Sequence, residues 1–208
     1  YCLQPAARTL FPDKQSRIEF LRRQSGWFNA QPYCASLALG YVLRREEEIA
    51  ESNESVSGDK TQQLLKAKDD LCGKLGLMGD QIFWQLLKPE TSALAITAGL
   101  IHALIKGEFN AGSALLGITL FLLVFNSFHL WMRWWGLKTG YHAGENLPAT
   151  LTAGVIPVLR RGLAGAGIWA ALVLFVTAFT YTRHQFGQGG WVAFALGFAG
   201  MVMMLKAR

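Results

Sequence analysis

Residues 79–89 run Gly79-Asp80-Gln81-Ile82-Phe83-Trp84-Gln85-Leu86-Leu87-Lys88-Pro89 and put a carboxylate, two aromatics and a cation at the mouth of the most apolar part of the chain. An ionisable group beside a membrane-length apolar run is costly unless it finds a partner or a polar cavity. Asp80 could accept hydrogen bonds from a hydroxyl-rich ligand. Phe83 or Trp84 could lie against the apolar face of a ring, since aromatics offer rigid surface at small entropic cost. Lys88 falls near the same helical face. Structural roles are open to the same residues. Asp80, following Gly79, could cap a helix beginning at Gln81, Trp84 could anchor that helix at an interface, and Lys88 could lay its stem along apolar surface with its ammonium in water.

Other polar side chains stand in apolar surroundings. Asn29 and Gln31 precede Pro32, whose missing N–H suits the first turn of a helix; their amides could cap that helix or bond a ligand. Asn126 lies inside an apolar run, where its amide needs a partner, either across helices or on a ligand. Arg133, Trp134, Trp135 and Tyr141 have the makeup of an interfacial belt with a cation.

Glu47 belongs to the run Glu46-Glu47-Glu48, and such runs usually face water. Nothing positions a second group opposite it for general acid–base work, so no catalytic residue is expected. His102, His129, His142 and His184 are scattered, with no Gly-rich phosphate cradle and no metal-ligand spacing around them. Neither a metal nor a cofactor is expected. Cys2, Cys34 and Cys72 are odd in number and unpaired in spacing, as reduced structural thiols would be.

The elements that must hold these residues divide the chain. Of its 208 residues 51% are hydrophobic and only 16% charged, with a mean hydropathy of +0.24; soluble domains carry about a quarter charged residues. Residues 1–90 hold most of the charge. The net charge of +6 sits in short clusters beside apolar runs rather than in a basic stripe with interleaved aromatics, which argues against nucleic acid. In the first half, Asp13 is placed to cap a helix through Ile18 and Leu21. Ala30, Cys34, Leu37, Ala38 and Tyr41 share one helical face. Residues 51–60 have loop chemistry, and 61–75 return to helix with Leu64, Leu65, Leu71, Cys72 and Leu75 as its apolar stripe. Gly73, Gly76 and Gly79 are then expected to break that helix just before Asp80.

Four apolar runs follow. Residues 91–105 extend about 22 Å as helix, short for a span. Residues 111–132 can cross a hydrocarbon core of about 30 Å, and 163–182 carry no charge at all. The last run, 191–205, is again short. Loop charge puts 133–162 and the C-terminus in the cytoplasm. No secretory signal is visible in 1–20, and because the chain does not begin with Met, a preceding segment is expected. The fold expected is all-α: a polytopic membrane protein with an amphipathic, interfacial and broken-helix half over 1–90, and about three to four membrane-embedded helices over 91–208.

Three separated stretches together resemble one family. The first is Phe11-Pro12-Asp13-Lys14, then Phe28-Asn29-Ala30-Gln31-Pro32-Tyr33 and the glutamate run. The second is Leu77-Met78-Gly79-Asp80-Gln81-Ile82-Phe83-Trp84 continuing to Lys88-Pro89. The third is Phe125-Asn126 through Arg133-Trp134-Trp135-Gly136 to Gly140-Tyr141-His142-Ala143-Gly144. In order and spacing they are similar to the IID subunit of the mannose/fructose/sorbose-type sugar phosphotransferase system. The resemblance runs from residue 1 to about 145 and fades after it. Lys88 stands where the family has arginine before proline, Ala30-Gln31 stand for its threonine-histidine pair, and its amphipathic opening segment has no counterpart here.

The resemblance implies a role rather than a reaction. Such subunits pair with a IIC subunit in the bacterial cytoplasmic (inner) membrane and cross the bilayer several times. The pair moves a hexose of the mannose, glucose, fructose or sorbose class, while separate soluble IIA and IIB domains carry the phosphate. Asp80, Phe83, Trp84, Asn29, Gln31 and Lys88 are then candidates for the substrate path. Gly79, Pro32, Glu47, Asn126, Arg133 and Tyr141 are candidates for subunit contact or structure. The alternative is a transport-deficient scaffold or regulatory subunit of a similar complex.

Overall fold

The computed structural model describes residues 3–26, 29–51, 58–190, 192, 194–197 and 199, and among these it is helical throughout with no strand. Cys2, Phe28, the centre of the 51–60 loop and most of the 191–205 run lie outside the described residues. The helices are α1 (Gln4–Leu10), α2 (Lys14–Gln24), α3 (Ala35–Glu51), α4 (Gly58–Asp80), a π-helical stretch (Gln81–Leu87), α5 (Lys88–Lys106), α6 (Ala111–Ala143), α7 (Leu147–Ala153) and α8 (Val155–Phe186). They form two compact units, one of Tyr1–Gln85 with Ser127–Arg160 and the other of Leu86–Asn126 with Arg161–Arg208. α6 and α8, of 33 and 32 residues, are about 50 Å long at 1.5 Å per residue, and each runs through both units.

In the first unit Asp13 caps α2, its carboxylate accepting from the Ser16 N–H at 2.8 Å. Behind that cap Ala7, Phe11 and Phe20 form a small core, with the two phenylalanine rings 5.4 Å apart. The turn before α3 buries Cys34, α3 buries Leu37, Ala38, Tyr41 and Val42, and α4 buries Leu64, Leu71, Cys72 and Leu75. Both are stripes at i, i+3, i+4 spacing, and the two helices pack on each other. α3 also crosses α6 backbone to backbone. A Cβ at Gly40 would strike the Leu137 carbonyl, and one at Gly140 the Leu37 carbonyl. Only glycine permits that approach.

The glycines before Asp80 do not break the helix. α4 continues through Gly73, Gly76 and Gly79, because the packed stripe of a 23-residue helix outweighs a propensity loss of about 1 kcal/mol per glycine. The irregularity falls one step later, as wide turns over Gln81–Leu87. Pro89, which has no N–H to give, follows at once. The Thr91 hydroxyl donates to the Leu87 and Lys88 carbonyls at 2.8 and 3.1 Å, and Ser92 donates to Lys88 at 2.8 Å. Side chains thus occupy carbonyls around the change of winding. The 51–60 loop is also shorter than expected, since α3 reaches Glu51 and α4 begins at Gly58.

In the second unit α5 and α6 form a tight hairpin. α5 ends at Gly107, whose φ of 83° is left-handed, and Asn110 accepts from the Ser113 N–H at 3.1 Å at the start of α6. A Cβ at Gly117 would lie 2.8 Å from the Ala95 carbonyl. Within the hairpin, Ser113 is fully buried and bonds His102 Nδ1 at 2.9 Å. Among the described residues Ala111–Phe186 is the stretch long and apolar enough to cross a membrane, and only 11% of its most apolar window is buried. Leu115, Ile118, Leu123, Ile168, Trp169 and Val176 all face outward, as suits lipid or a neighbouring apolar helix.

Candidate functional site

The site is assembled from one face of α4 and the segment that leads into α3. Gly73, Gly76, Leu77, Asp80 and Trp84 follow each other at helical spacing, and Asn29 to Tyr33 run past them. Together with Cys72 they line a pocket of about 450 Å³, within the range of about 300–1,000 Å³ common for small-molecule sites. A Cβ at Gly73 or Gly76 would meet nothing within 4 Å, so these glycines leave a bare floor. Gly79 has the opposite surroundings: a Cβ there would lie 2.6 Å from that of Gln31. The absent side chain lets the α3 lead-in sit directly on α4.

Of the six substrate-path candidates the structure brings four into this pocket: Asp80, Trp84, Asn29 and Gln31. Asp80 is the last residue of α4, not the first of a new helix, so it does not act as an N-cap. Its carboxylate is exposed. Trp84, 52% exposed, stands one helical turn beyond it.

Gln31 is buried and its amide oxygen accepts from the Tyr33 and Cys34 N–H groups at 2.7 and 3.3 Å. It therefore shapes the turn before α3, with its amide turned toward backbone. Pro32 sits in that turn, just ahead of the helix. Asn29 is exposed at the rim.

Phe83 and Lys88 fall elsewhere. Phe83 is 1% exposed, with its ring 4.6 Å from Tyr33 and 5.6 Å from Phe128. Tyr33 thus has two roles, lining the pocket and resting on the Phe83 core. Lys88 belongs to the second unit and is exposed.

The remaining candidates have partners in the chain. Glu47 accepts from the Tyr141 hydroxyl at 2.5 Å and pairs with Arg44 at 3.1 Å, joining α3 to α6. Arg133 holds its guanidinium 5.8 Å from the centre of the Tyr33 ring. Asn126 donates to the Leu122 carbonyl of its own helix at 2.6 Å.

Two charged residues turn out to be central: Glu46, expected with its run to face water, and Lys68, which the sequence did not single out. Glu46 is fully buried, paired with Arg23 at 2.8 Å, and accepts from Gln24 at 2.7 Å. Lys68 is 3% exposed and donates to the Gln24 amide oxygen at 3.4 Å. The signal was periodic: Glu46 continues the Ala38–Val42 face of α3 at i+4, and Lys68 lies between Leu64 and Cys72 on the α4 stripe. The charge of these residues hid them.

The electrostatics of the pocket follow from burial. The Cys34 thiol is pushed up to about 12, first by burial and then by the Asp80 charge. Burial also raises the Cys72 thiol, against the pull of Lys68. The pocket thus offers an exposed carboxylate, an exposed amide and an exposed indole, beside thiols held neutral. Such a set binds hydroxyls and the C–H face of a ring. Among the described residues no three His, Cys, Asp or Glu side chains gather as metal ligands.

These segments lie within a longer likeness to known proteins. Residues 1–186 match the family model for the PTS system mannose/fructose/sorbose family IID component. The chain belongs to this family. It is 31% identical over 170 residues to the mannose-specific EIID component of Escherichia coli K12, covering 81% of this chain and 55% of that protein. The sorbose-specific EIID component of Klebsiella pneumoniae is 28% identical over 180 residues, covering 86% and 60%. The fructose permease IID component of Bacillus subtilis is 28% identical over 169 residues, covering 81% and 56%. The fold is similar to a chain in the cryo-EM structure of the mannose transporter ManYZ in complex with microcin E492. The TM-score there is 0.56 at 30% identity, over 83% of this chain and 58% of that one. The IID chain described here spans a little over half the length of the curated relatives it matches.

Proposed function

We propose that this IID component is a non-catalytic membrane subunit that pairs with a IIC subunit and forms part of a hexose path. The pair sits in the bacterial cytoplasmic membrane, crosses it several times, and delivers the sugar to a phosphorylated IIB domain, itself recharged by IIA. The observation that carries the reading is the pocket lined by the first and second family-like stretches, where Asp80, Asn29 and the half-exposed Trp84 meet over a glycine floor. A carboxylate and an amide suit sugar hydroxyls, which both donate and accept. The indole suits the C–H face of a pyranose. The outward apolar faces of α6 and α8 supply the surface that lipid and a partner's helices would cover.

The test is equilibrium binding of mannose, glucose, fructose and sorbose to the complex isolated from membranes on a tag carried by this chain. A IIC subunit should co-purify, and one of these sugars should bind. Asp80→Asn and Trp84→Ala should each weaken binding by about tenfold, the loss of one hydrogen bond to a charged group or one stacked face. An assembled complex whose sugar affinity ignores both substitutions would favour a scaffold or regulatory subunit instead.

A further inference from the structure

A second and larger cavity, about 800 Å³, opens beside the Asp80 pocket, and Asn29, Cys72 and Gly73 line both. The rest of its lining combines four charged residues, Arg22, Arg23, Lys68 and Asp69, with Ser25, Gly26 and Leu65. Arg23 is spent on Glu46, its guanidinium bonded to that buried carboxylate. Two cations are then set against one carboxylate. Lys68 is almost wholly buried, and its ammonium donates to the neutral Gln24 amide oxygen at 3.4 Å. A buried ammonium so weakly met is costly unless an anion joins it. Arg22 lies exposed at the same wall, and its planar fork suits phosphate oxygens. Lys68 lines the larger cavity one helical turn before Cys72, which lines both.

We propose that this cavity binds the phosphate group of a hexose phosphate whose ring occupies the neighbouring Asp80–Trp84 pocket. The ligand class is a phosphate monoester dianion, held by Arg22 and Lys68 and opposed by Asp69. From Asp69 to Asp80 α4 rises about 16 Å, and Gly73 and Gly76 keep the face between them clear. The sugar half of the proposal rests on the function proposed above; the anion half does not.

Calorimetric titration of the membrane-extracted complex separates the two, with mannose 6-phosphate, inorganic phosphate and mannose as probes. Mannose 6-phosphate should bind more tightly than inorganic phosphate. Arg22→Gln should weaken both phosphates by about tenfold, as for one charge-assisted contact, and leave mannose unchanged. Asp69→Asn, which removes the opposing charge, should strengthen both. Trp84→Ala should weaken mannose 6-phosphate and leave inorganic phosphate unchanged. A phosphate affinity indifferent to Arg22→Gln and Asp69→Asn, or no phosphate binding in the unsubstituted protein, overturns the proposal. If Trp84→Ala leaves mannose 6-phosphate unaffected while Arg22→Gln still weakens inorganic phosphate, the anion cavity stands and the sugar reading of its neighbour fails.

Discussion

Phe83 and Trp84 are consecutive in sequence and opposite in fate. One ring is buried between Tyr33 and Phe128, the other faces the pocket. Truncating them should therefore give different failures. Phe83→Ala empties a packed site and should cost about 3–5 kcal/mol of stability, visible as a lower Tm. Trp84→Ala should leave Tm nearly unchanged and act on ligand binding. A Phe83→Ala protein with unaltered Tm would contradict this assignment. The thiols give a second residue-scale check. With Cys34 pushed up to about 12, its reactive thiolate is nearly absent at pH 8, since the thiolate is the nucleophile. Mass spectrometry after iodoacetamide treatment at pH 8 should find Cys34 unmodified in the folded protein and modified after denaturation. Which aromatic would face the pocket was not legible in the sequence. A two-residue choice of face depends on the local winding, and the π-helical turns over Gln81–Leu87 leave no periodic trace.

At the scale of elements the apolar stripes were legible and the charges inside them were not. Leu64, Leu71, Cys72 and Leu75 marked the buried face of α4 through their spacing, and Lys68 lies on that face all the same. Glu46 repeats the pattern on α3, where its burial is made tolerable by Arg23 and Gln24. Removing one partner of such a pair leaves the other uncompensated. Glu46→Gln should thus cost about 3–5 kcal/mol, read by thermal denaturation, whereas Glu48→Gln, on the half-exposed side of α3, should cost about 1 kcal/mol or less. Equal effects would count against the buried network. The crossing of α3 and α6 makes a further prediction. Gly140→Ala forces a methyl against the Leu37 carbonyl, and backbone cannot yield as a side chain does. Destabilisation of at least about 1–3 kcal/mol is expected, while Gly162→Ala, where a Cβ meets nothing within 4 Å, should be tolerated. The glycines before Asp80 show the limit of reading breakers from sequence. Gly73 and Gly76 serve as pocket floor within an unbroken helix, a use that composition cannot distinguish from a break.

For the whole molecule, the apolar excess of the second half was readable because no water-facing surface needs 91–105, 111–132 and 163–182 together. α5, α6 and α8 carry those runs. The partition into two units was not readable, because it depends on where two helices of more than thirty residues turn from one packing environment to another. The pocket of Asp80, Trp84 and Asn29 lies wholly in the first unit, which holds most of the charge, and the exposed apolar faces of α5 lie in the second. On the proposed function the ligand contacts fall in the first unit, while outward apolar residues occur in both, Leu130, Trp134 and Val158 in the first and Leu94 and Ile101 in the second. The most direct test of that assignment is uptake of radiolabelled mannose by membrane vesicles containing the assembled complex, phosphorylating partners included, with Asp80→Asn and Trp84→Ala combined in this chain. The account predicts that the complex still assembles and that uptake falls by about a hundredfold, two independent losses of about tenfold each. Unchanged uptake by an assembled double variant would contradict it.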